Sequence, residues 1–247
     1  MKVLVFGALG AMGQETVRLL QKDGSLAASV DKNYPKDENG QWRQLPDQRL
    51  DADVIIDFSH HSSIFSLAPY ALRYALPVVI ASTGQNEEEL DEIRRLSRRV
   101  PTLLSANMSP GAAKFVGLVK TASALFENAD IEITEKHHRR KLDAPSGTAL
   151  TLLHEIQKVR PQAQPVFGRN GKQQRREGEI GVHAVRAGGY IGIHEVLFAD
   201  EYETFTLRHE TLSREVFAEG AIRAAAWLCR KPVGLYGMED LIEETRR

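Results

Sequence analysis

Short apolar runs alternate with helix-length segments in the N-terminal part of the 247-residue chain. The runs are rich in Val, Ile and Leu, as expected of strands that are covered on both faces of a sheet. They span residues 2–6, 26–30, 53–58, 77–81 and 101–105, and helices are predicted over 11–22, 62–75 and 87–98. This alternation predicts an α/β fold with a Rossmann-like, doubly wound parallel sheet. The polar stretch 33–50 is expected to be a loop.

The pattern changes after about residue 107. A helical stretch (111–126), a strand (130–136) and a helix from Thr148 are followed by strand-like runs at 179–186, 190–198 and 204–208. Consecutive strands joined by turns predict a second, α+β domain with an open mixed sheet. The Ala-rich segment 213–229 is helical again and is expected to rejoin the first domain. We therefore expect a discontinuous first domain (1–106 and 217–247) and a substrate-binding and oligomerisation domain at 107–216.

Composition excludes several classes of protein. Thirty-two Lys and Arg residues nearly balance 33 Asp and Glu residues, and 42% of the chain is hydrophobic, which argues against disorder and against a nucleic-acid-coating protein. The apolar runs are too short to span a membrane. Cys229 is the single cysteine, so there is no internal disulfide, and no Cys/His spacing predicts a metal site. We expect a soluble, cytoplasmic protein.

A glycine-rich turn, Gly7-Ala8-Leu9-Gly10-Ala11-Met12-Gly13, joins the first strand to the first helix. Glycines at such a turn allow a close approach of a pyrophosphate, and the helix N-terminus provides N–H groups for its oxygens. Asp31, at the end of the second strand, is placed to bind the ribose hydroxyls of adenosine. Lys32 follows it and would pair with a 2′-phosphate, so use of both NADH and NADPH is expected.

A basic segment at 135–149 carries the strongest chemical signal. It contains two adjacent histidines, His137 and His138, with four Lys or Arg side chains, and a Ser-Gly-Thr step then opens a helix. Cations beside a helix N-terminus predict a small anionic substrate. Histidine is the natural proton donor near neutral pH.

The segment matches E-x-H-H-x-x-K-x-D-A-P-S-G-T-A at every specified position and resembles the dihydrodipicolinate (4-hydroxy-tetrahydrodipicolinate) reductases of lysine and diaminopimelate synthesis. Further matches are the glycine turn, Ser82-Thr83-Gly84, Asn107-Met108-Ser109-Pro110-Gly111, a pattern from Arg186 to Phe198, and another over 213–221. The resemblance implies reduction of a cyclic imine dicarboxylate by NADH or NADPH, in a homotetramer formed through the second domain's sheet.

The resemblance also assigns residue roles. His137 would donate the proton and Lys141 would assist, while His138, Gly147 and Thr148 would bind the dicarboxylate. The nucleotide would be lined by Gly7, Ala8, Leu9, Gly10, Ala11, Met12, Asp31, Lys32, Ala81, Ser82, Thr83, Ser105, Ala106, Asn107 and Met108.

Two alternatives stay open from the sequence: a non-catalytic NAD(P)-sensing protein, and another two-domain dehydrogenase of amino-acid metabolism. The remaining histidines are interpreted without a catalytic role. His60 and His61 are expected near the cofactor, and the other four are expected to be structural (His154, His183, His194 and His209). The charged stretch 239–247 is interpreted as a solvated helix end.

Overall fold

A computed structural model describes residues 1–244 of the chain. It divides into two compact units, one formed by Met1–Pro110 with the chain from Arg214 onward, the other by Gly111–Ser213. The junctions expected at 106/107 and 216/217 thus lie at 110/111 and 213/214. Residues 107–110 stay with the first unit because the segment around Gly220 packs there: a Cβ at Gly220 would lie 1.8 Å from the Met108 carbonyl oxygen.

The first unit contains a seven-stranded parallel sheet in the order β12-β6-β5-β4-β1-β2-β3. Its strands are β1 Val3–Phe6, β2 Leu26–Val30, β3 Gln41–Trp42, β4 Val54–Asp57, β5 Val78–Ile80, β6 Pro101–Leu104 and β12 Gly234–Tyr236. The predicted doubly wound sheet is confirmed. Both edge strands were missed: β3 lies in the stretch expected to be a loop, and at two and three residues β3 and β12 are too short to show a periodic pattern.

Within residues 1–244, this unit contains the helices α1 Ala11–Lys22, α2 Ile64–Tyr74, α3 Glu87–Ser97, α6 Glu215–Leu228 and α7 Met238–Glu244, and a 3₁₀ turn, His61–Ser63, precedes α2. The helix α3 begins with a capping box between Asn86 and Glu89. Met238, Leu241 and Ile242 are buried, so α7 is packed on one face rather than wholly solvated. Residues 245–247 lie outside the described part of the chain.

The second unit packs two helices against a five-stranded mixed sheet in the order β11-β10-β7-β9-β8. Its helices are α4 Pro110–Leu125, which starts at the junction, and α5 Gly147–Val159. Its strands are β7 Asp130–His137, β8 Gln164–Phe167, β9 Glu179–Arg186, β10 Gly192–Ala199 and β11 Thr204–Thr211. The central strand β7 is antiparallel to β10 and parallel to β9. The strand β8 was not predicted, and β7 continues one residue beyond the expected end, to His137.

Alternate residues of β7 point to the side of the sheet that the helices cover. Ile131 and Ile133 belong to a buried cluster with side chains of α4 and α5, such as Val119 and Leu152. Because side chains alternate along a strand, Glu135 and His137 point to the same side, and both are buried. Among the described residues, no helix is long and apolar enough to cross a membrane.

Candidate active site

The glycine turn after β1 has the geometry of a phosphate-binding turn. Gly7 has φ +80°, and a Cβ there would lie 2.6 Å from the Ser59 backbone. A Cβ at Gly13 would lie 2.1 Å from the Gly7 carbonyl oxygen, so α1 packs directly on the turn. No side chain of the described residues caps α1 at Gly10. An uncapped helix N-terminus is favourable for anions, and a side chain at Gly7 or Gly13 would not fit at this turn.

Asp31 orders this turn. Its carboxylate accepts hydrogen bonds from the N–H of Leu9 at 2.9 Å and of Asn33 at 3.0 Å. Gly7 and Ala8 donate to the carbonyl of Val30, which fixes the turn to the end of β2. Asp31 is half-buried and Lys32 is exposed. The contact with Leu9 is a role for Asp31 that the sequence did not indicate.

A buried carboxylate connects the turns after β4 and β5. Asp57 is the last residue of β4 and accepts hydrogen bonds from the Ser59 N–H at 2.9 Å and the Ser82 hydroxyl at 3.2 Å. Burial raises the pKa of Asp57, and the hydrogen bonds from Ser59 and Ser82 offset part of that rise. Asp57 thereby holds Ser82 in place, with Ala81 before it and an exposed Thr83 after it.

The turn after β6 is also locally ordered. The Ser105 hydroxyl donates to the Asn107 carbonyl at 2.9 Å, and the Asn107 side chain accepts from the Ser109 N–H at 2.9 Å. Met108 is buried and Ala106 is exposed. Because the strands of this sheet run parallel, the turns after β1, β2, β5 and β6 lie at one edge. The structure thus brings the predicted nucleotide-binding residues to the same edge of the first unit.

In the second unit, His137 is held by a buried carboxylate. Its Nδ1 lies 2.5 Å from Oε2 of Glu135, which is fully buried. Arg186 donates to both oxygens of Glu135, at 2.7 and 2.8 Å, and the Ser146 N–H donates at 3.0 Å. Burial acts to raise the pKa of Glu135, but the hydrogen bonds from His137, Arg186 and Ser146 outweigh it and lower the pKa to about 2.

The same network reaches the N-terminus of α5. Ser146 caps the helix by accepting from the Ala149 N–H at 3.3 Å, and its hydroxyl lies 3.0 Å from Nε2 of His194. A Cβ at Gly147 would meet nothing within 4 Å, so the space beside this residue is open. Thr148 is half-buried beside it. The N-cap residue of α5 is thus hydrogen-bonded to the carboxylate that holds His137.

His194 is a member of this network, although sequence analysis predicts no catalytic role for it. Its ring centroid lies 5.2 Å from that of His137 in an edge-on arrangement. Burial, aided by repulsion from His137, lowers the pKa of His194 to about 3. His194 is therefore neutral at physiological pH and packs against His137 as an uncharged ring.

The basic loop is tied to the turn that precedes β10. The N–H of His138 donates to the Tyr190 carbonyl at 2.8 Å, and the N–H of Lys141 donates to the His138 carbonyl at 3.1 Å. The Lys141 ammonium lies 2.8 Å from the carboxylate of Asp143. Arg139 and Arg140 are exposed. The segment is thus an ordered turn rather than a freely solvated run of charge.

The other histidines have separate partners. His60 caps the 3₁₀ turn, His61 lies 2.7 Å from Glu89, and His183 lies 2.6 Å from Glu132. His209 stacks on Phe115, and His154 is exposed on α5. In the part of the chain that the structure describes, no group of His, Cys, Asp and Glu side chains is arranged to hold a metal ion.

Sequence reasoning missed Glu135 as a functional residue and gave Arg186 no role. The predicted strand ended at Lys136, which placed His137 in a loop. The relation between Glu135 and His137 was therefore not apparent from the sequence. With β7 extended by one residue, Glu135 and His137 become i, i+2 neighbours on one face of a strand, and a carboxylate on the covered face then needs a partner. That alternation is the signal that would have found the pair.

Known proteins match the chain over its length. A family model described as "Dihydrodipicolinate reductase, N-terminus" matches residues 1–108, and one described as "Dihydrodipicolinate reductase, C-terminus" matches residues 111–242. The 4-hydroxy-tetrahydrodipicolinate reductase of Caldanaerobacter subterraneus subsp. tengcongensis is 42% identical, with 98% of each chain covered. That of Staphylococcus aureus (strain MRSA252) is 39% identical, covering 98% of this chain and all of the relative.

A solved structure agrees with these relatives. The dipicolinate-bound dihydrodipicolinate reductase from Paenisporosarcina sp. TG-14 superposes with a TM-score of 0.79 at 28% identity, covering 98% of this chain and 99% of that one.

Proposed function

Because this chain belongs to the dihydrodipicolinate reductase family, an NAD(P)H-dependent family of lysine and diaminopimelate biosynthesis, we propose that His137 is the proton donor of its reaction. The observation that carries this proposal is the network around Glu135, which holds the imidazole of His137 and the N-terminus of α5 through one carboxylate. A proton donor and an anion site are thereby kept together in one unit.

The nucleotide would be held by the carboxyl edge of the first unit's sheet. The N–H groups at the start of α1 suit the pyrophosphate, and Asp31 and Lys32 suit the adenosine ribose. The segments Ala81–Thr83 and Ser105–Met108 line the same edge. NAD(P)H, when bound, supplies the hydride, and the protein's contribution is orientation and electrostatics.

The substrate would be a small dicarboxylate bound by the second unit. The N–H groups of Gly147 and Thr148 at the start of α5 suit one carboxylate, and His138 and the Lys141 ammonium suit the negative charge nearby. Dipicolinate, the ligand of the Paenisporosarcina relative, is a dicarboxylate of this kind. Lys141 would contribute to both binding and protonation, since its ammonium is carried by the ordered loop that follows His137 at the end of β7.

The test is the loss of NADPH absorbance when the substrate is generated in situ from pyruvate and aspartate semialdehyde. We expect turnover by the wild-type protein and a roughly 10²–10⁴-fold lower kcat for His137→Gln, the usual contribution of a positioned acid. Nucleotide affinity should be unchanged, because the predicted nucleotide contacts lie on the other unit. A folded wild-type protein that binds NADPH without turnover would instead favour the nucleotide-sensing alternative, and full activity of His137→Gln would move the proton-donor role to another residue.

We also propose that the chain assembles as a homotetramer through the second unit. The strand β11 is an edge of its sheet, and large apolar side chains are exposed on it and at its ends, at Tyr202, Phe205 and Leu212. Exposed edges and apolar side chains favour association of identical copies. A monomer in light scattering at micromolar concentration would contradict this.

We also propose a cytoplasmic location, because the free thiol of Cys229 is compatible with a reducing environment.

A further inference from the structure

The proposal above uses Glu135 as the group that holds His137, but it gives Glu135 no part in the proton transfer. It is the only fully buried member of the group that includes His137, Arg186 and Ser146 within the described residues. We infer that Glu135 is a positioning residue for the reaction: it holds His137 with Nδ1 as the hydrogen-bond donor, so that Nε2 is the nitrogen that delivers the proton. This inference rests on the role proposed for His137.

The charge on Glu135 determines which nitrogen of His137 carries the fixed hydrogen. With its pKa near 2, the carboxylate is ionised at physiological pH. An ionised carboxylate offers only acceptors, so the Nδ1 that lies 2.5 Å away must be the donor.

The surroundings of the other nitrogen fit a proton-delivering group. The hydrogen bond that the structure gives the His137 ring uses Nδ1, with Glu135 as its partner. A Cβ at Gly192 would lie 3.1 Å from Nε2, which is tighter than most Cβ contacts. Glycine at position 192 therefore keeps the space beside Nε2 open. The nearby Gly189 has no such neighbour, since a Cβ there would meet nothing within 4 Å.

Arg186 fixes the carboxylate itself. Its two terminal nitrogens donate to the two oxygens of Glu135, a geometry that sets the orientation as well as the charge of the carboxylate. One of these nitrogens also donates to the Asp143 carbonyl, at 2.5 Å, and the Asp143 side chain pairs with Lys141. Arg186 and Glu135 thus link the His137 ring to the loop that carries Lys141.

The experiment is a double-mutant cycle between Glu135→Gln and His137→Gln. The amide of Gln has the shape of the carboxylate but no charge, and it is able to donate to Nδ1 and select the wrong tautomer. We expect the kcat of Glu135→Gln to fall roughly 10- to 1,000-fold. This loss is smaller than the loss of about 10⁴-fold in kcat when the triad Asp of a serine protease is replaced by Asn. The substrate KM and the affinity for NADPH should change little. In the His137→Gln background, Glu135→Gln should cause no further loss, because Glu135 acts through His137.

A purely structural role would give a different result. The two losses would then multiply, and that outcome overturns the inference, as does full activity of Glu135→Gln alone. A wild-type protein without turnover would refute the proposed function instead, so the two failures are distinguishable. If Glu135→Gln does not fold, ¹⁵N NMR of the wild-type protein tests the inference instead. The signals of the His137 ring are identified by their loss in His137→Gln. We expect Nδ1 to carry a proton at pH 7, and an unprotonated Nδ1 would overturn the inference.

Two glycine-to-alanine variants test whether Nε2 of His137 is the nitrogen that delivers the proton. Gly192→Ala places a methyl group beside Nε2 and should lower kcat at least about tenfold, whereas the matched control Gly189→Ala should retain wild-type kcat. Equal activity of the two variants would overturn the assignment of Nε2 as the proton-delivering nitrogen.

Discussion

Replacing Gly13 with alanine should weaken nucleotide binding roughly 10- to 100-fold while the protein still folds. The added Cβ would lie 2.1 Å from the Gly7 carbonyl oxygen and 2.8 Å from Ala8 Cα, and real Cβ atoms essentially never approach other atoms closer than 3.0 Å. The helix α1 and the turn must therefore separate by roughly 1 Å, because close-packed interiors transmit such an overlap. Overpacking of this kind costs about 1–3 kcal/mol of stability.

The affinity loss follows from hydrogen-bond geometry. An N–H···O bond that is lengthened by about 1 Å from 2.9 Å no longer counts as a hydrogen bond. Losing one bond to a charged phosphate oxygen costs about 1.5–3 kcal/mol. At about 1.36 kcal/mol per factor of ten, this amounts to roughly one to two orders of magnitude in the dissociation constant.

The assay is calorimetric titration with NADH, together with urea unfolding of the free protein. Gly117→Ala is the matched control, because Gly117 lies within α4 of the second unit and a Cβ there would meet nothing within 4 Å. It should leave the affinity for NADH unchanged and stabilise the protein by about 0.5–1 kcal/mol. Binding of NADH by folded Gly13→Ala within twofold of wild type would refute this prediction, as would an equal loss of affinity in Gly117→Ala.

Three further outcomes are expected. Lys141→Ala should lower kcat and raise substrate KM, with a loss of about 1.5–3 kcal/mol in kcat/KM; wild-type constants would show that Lys141 does not contact substrate. Lys32→Ala should raise the KM for NADPH but not for NADH, by about fivefold or less at low salt and less at high salt, where a surface ion pair is screened; equal effects on both cofactors would contradict this. The free energy of unfolding should fall as the pH drops from 6.5, because the pKa of His194 is about 3 in the folded state and the unfolded chain takes up the proton first. Below about pH 4.5, Glu135, with its pKa near 2, adds to that loss. His194→Asn should flatten the decline between pH 6.5 and 4.5, and an unchanged slope would exclude His194 as its cause.

Local sequence patterns were sufficient to predict the architecture and to identify the family. The alternation of apolar runs and helices predicted the doubly wound sheet, and α1 begins and ends where its periodicity indicated, at Ala11–Lys22. The glycine turn and the segment 135–149 are contiguous in sequence, so their chemistry is readable without a fold. The residue roles assigned to these segments remain predictions until the variants above are measured.

Only the tertiary structure revealed which distant residues meet. Glu135 and Arg186 are 51 positions apart and become partners because β7 and β9 pair in register. Asp57 reaches Ser82 across 25 positions for the same reason, through the pairing of β4 and β5. The edge strands β3 and β12 exist because a neighbouring strand offers unpaired backbone groups, and their own two or three residues show no periodicity. Sequence periodicity indicates which side of an element is buried, whereas strand register, which depends on the whole sheet, decides what that side contacts.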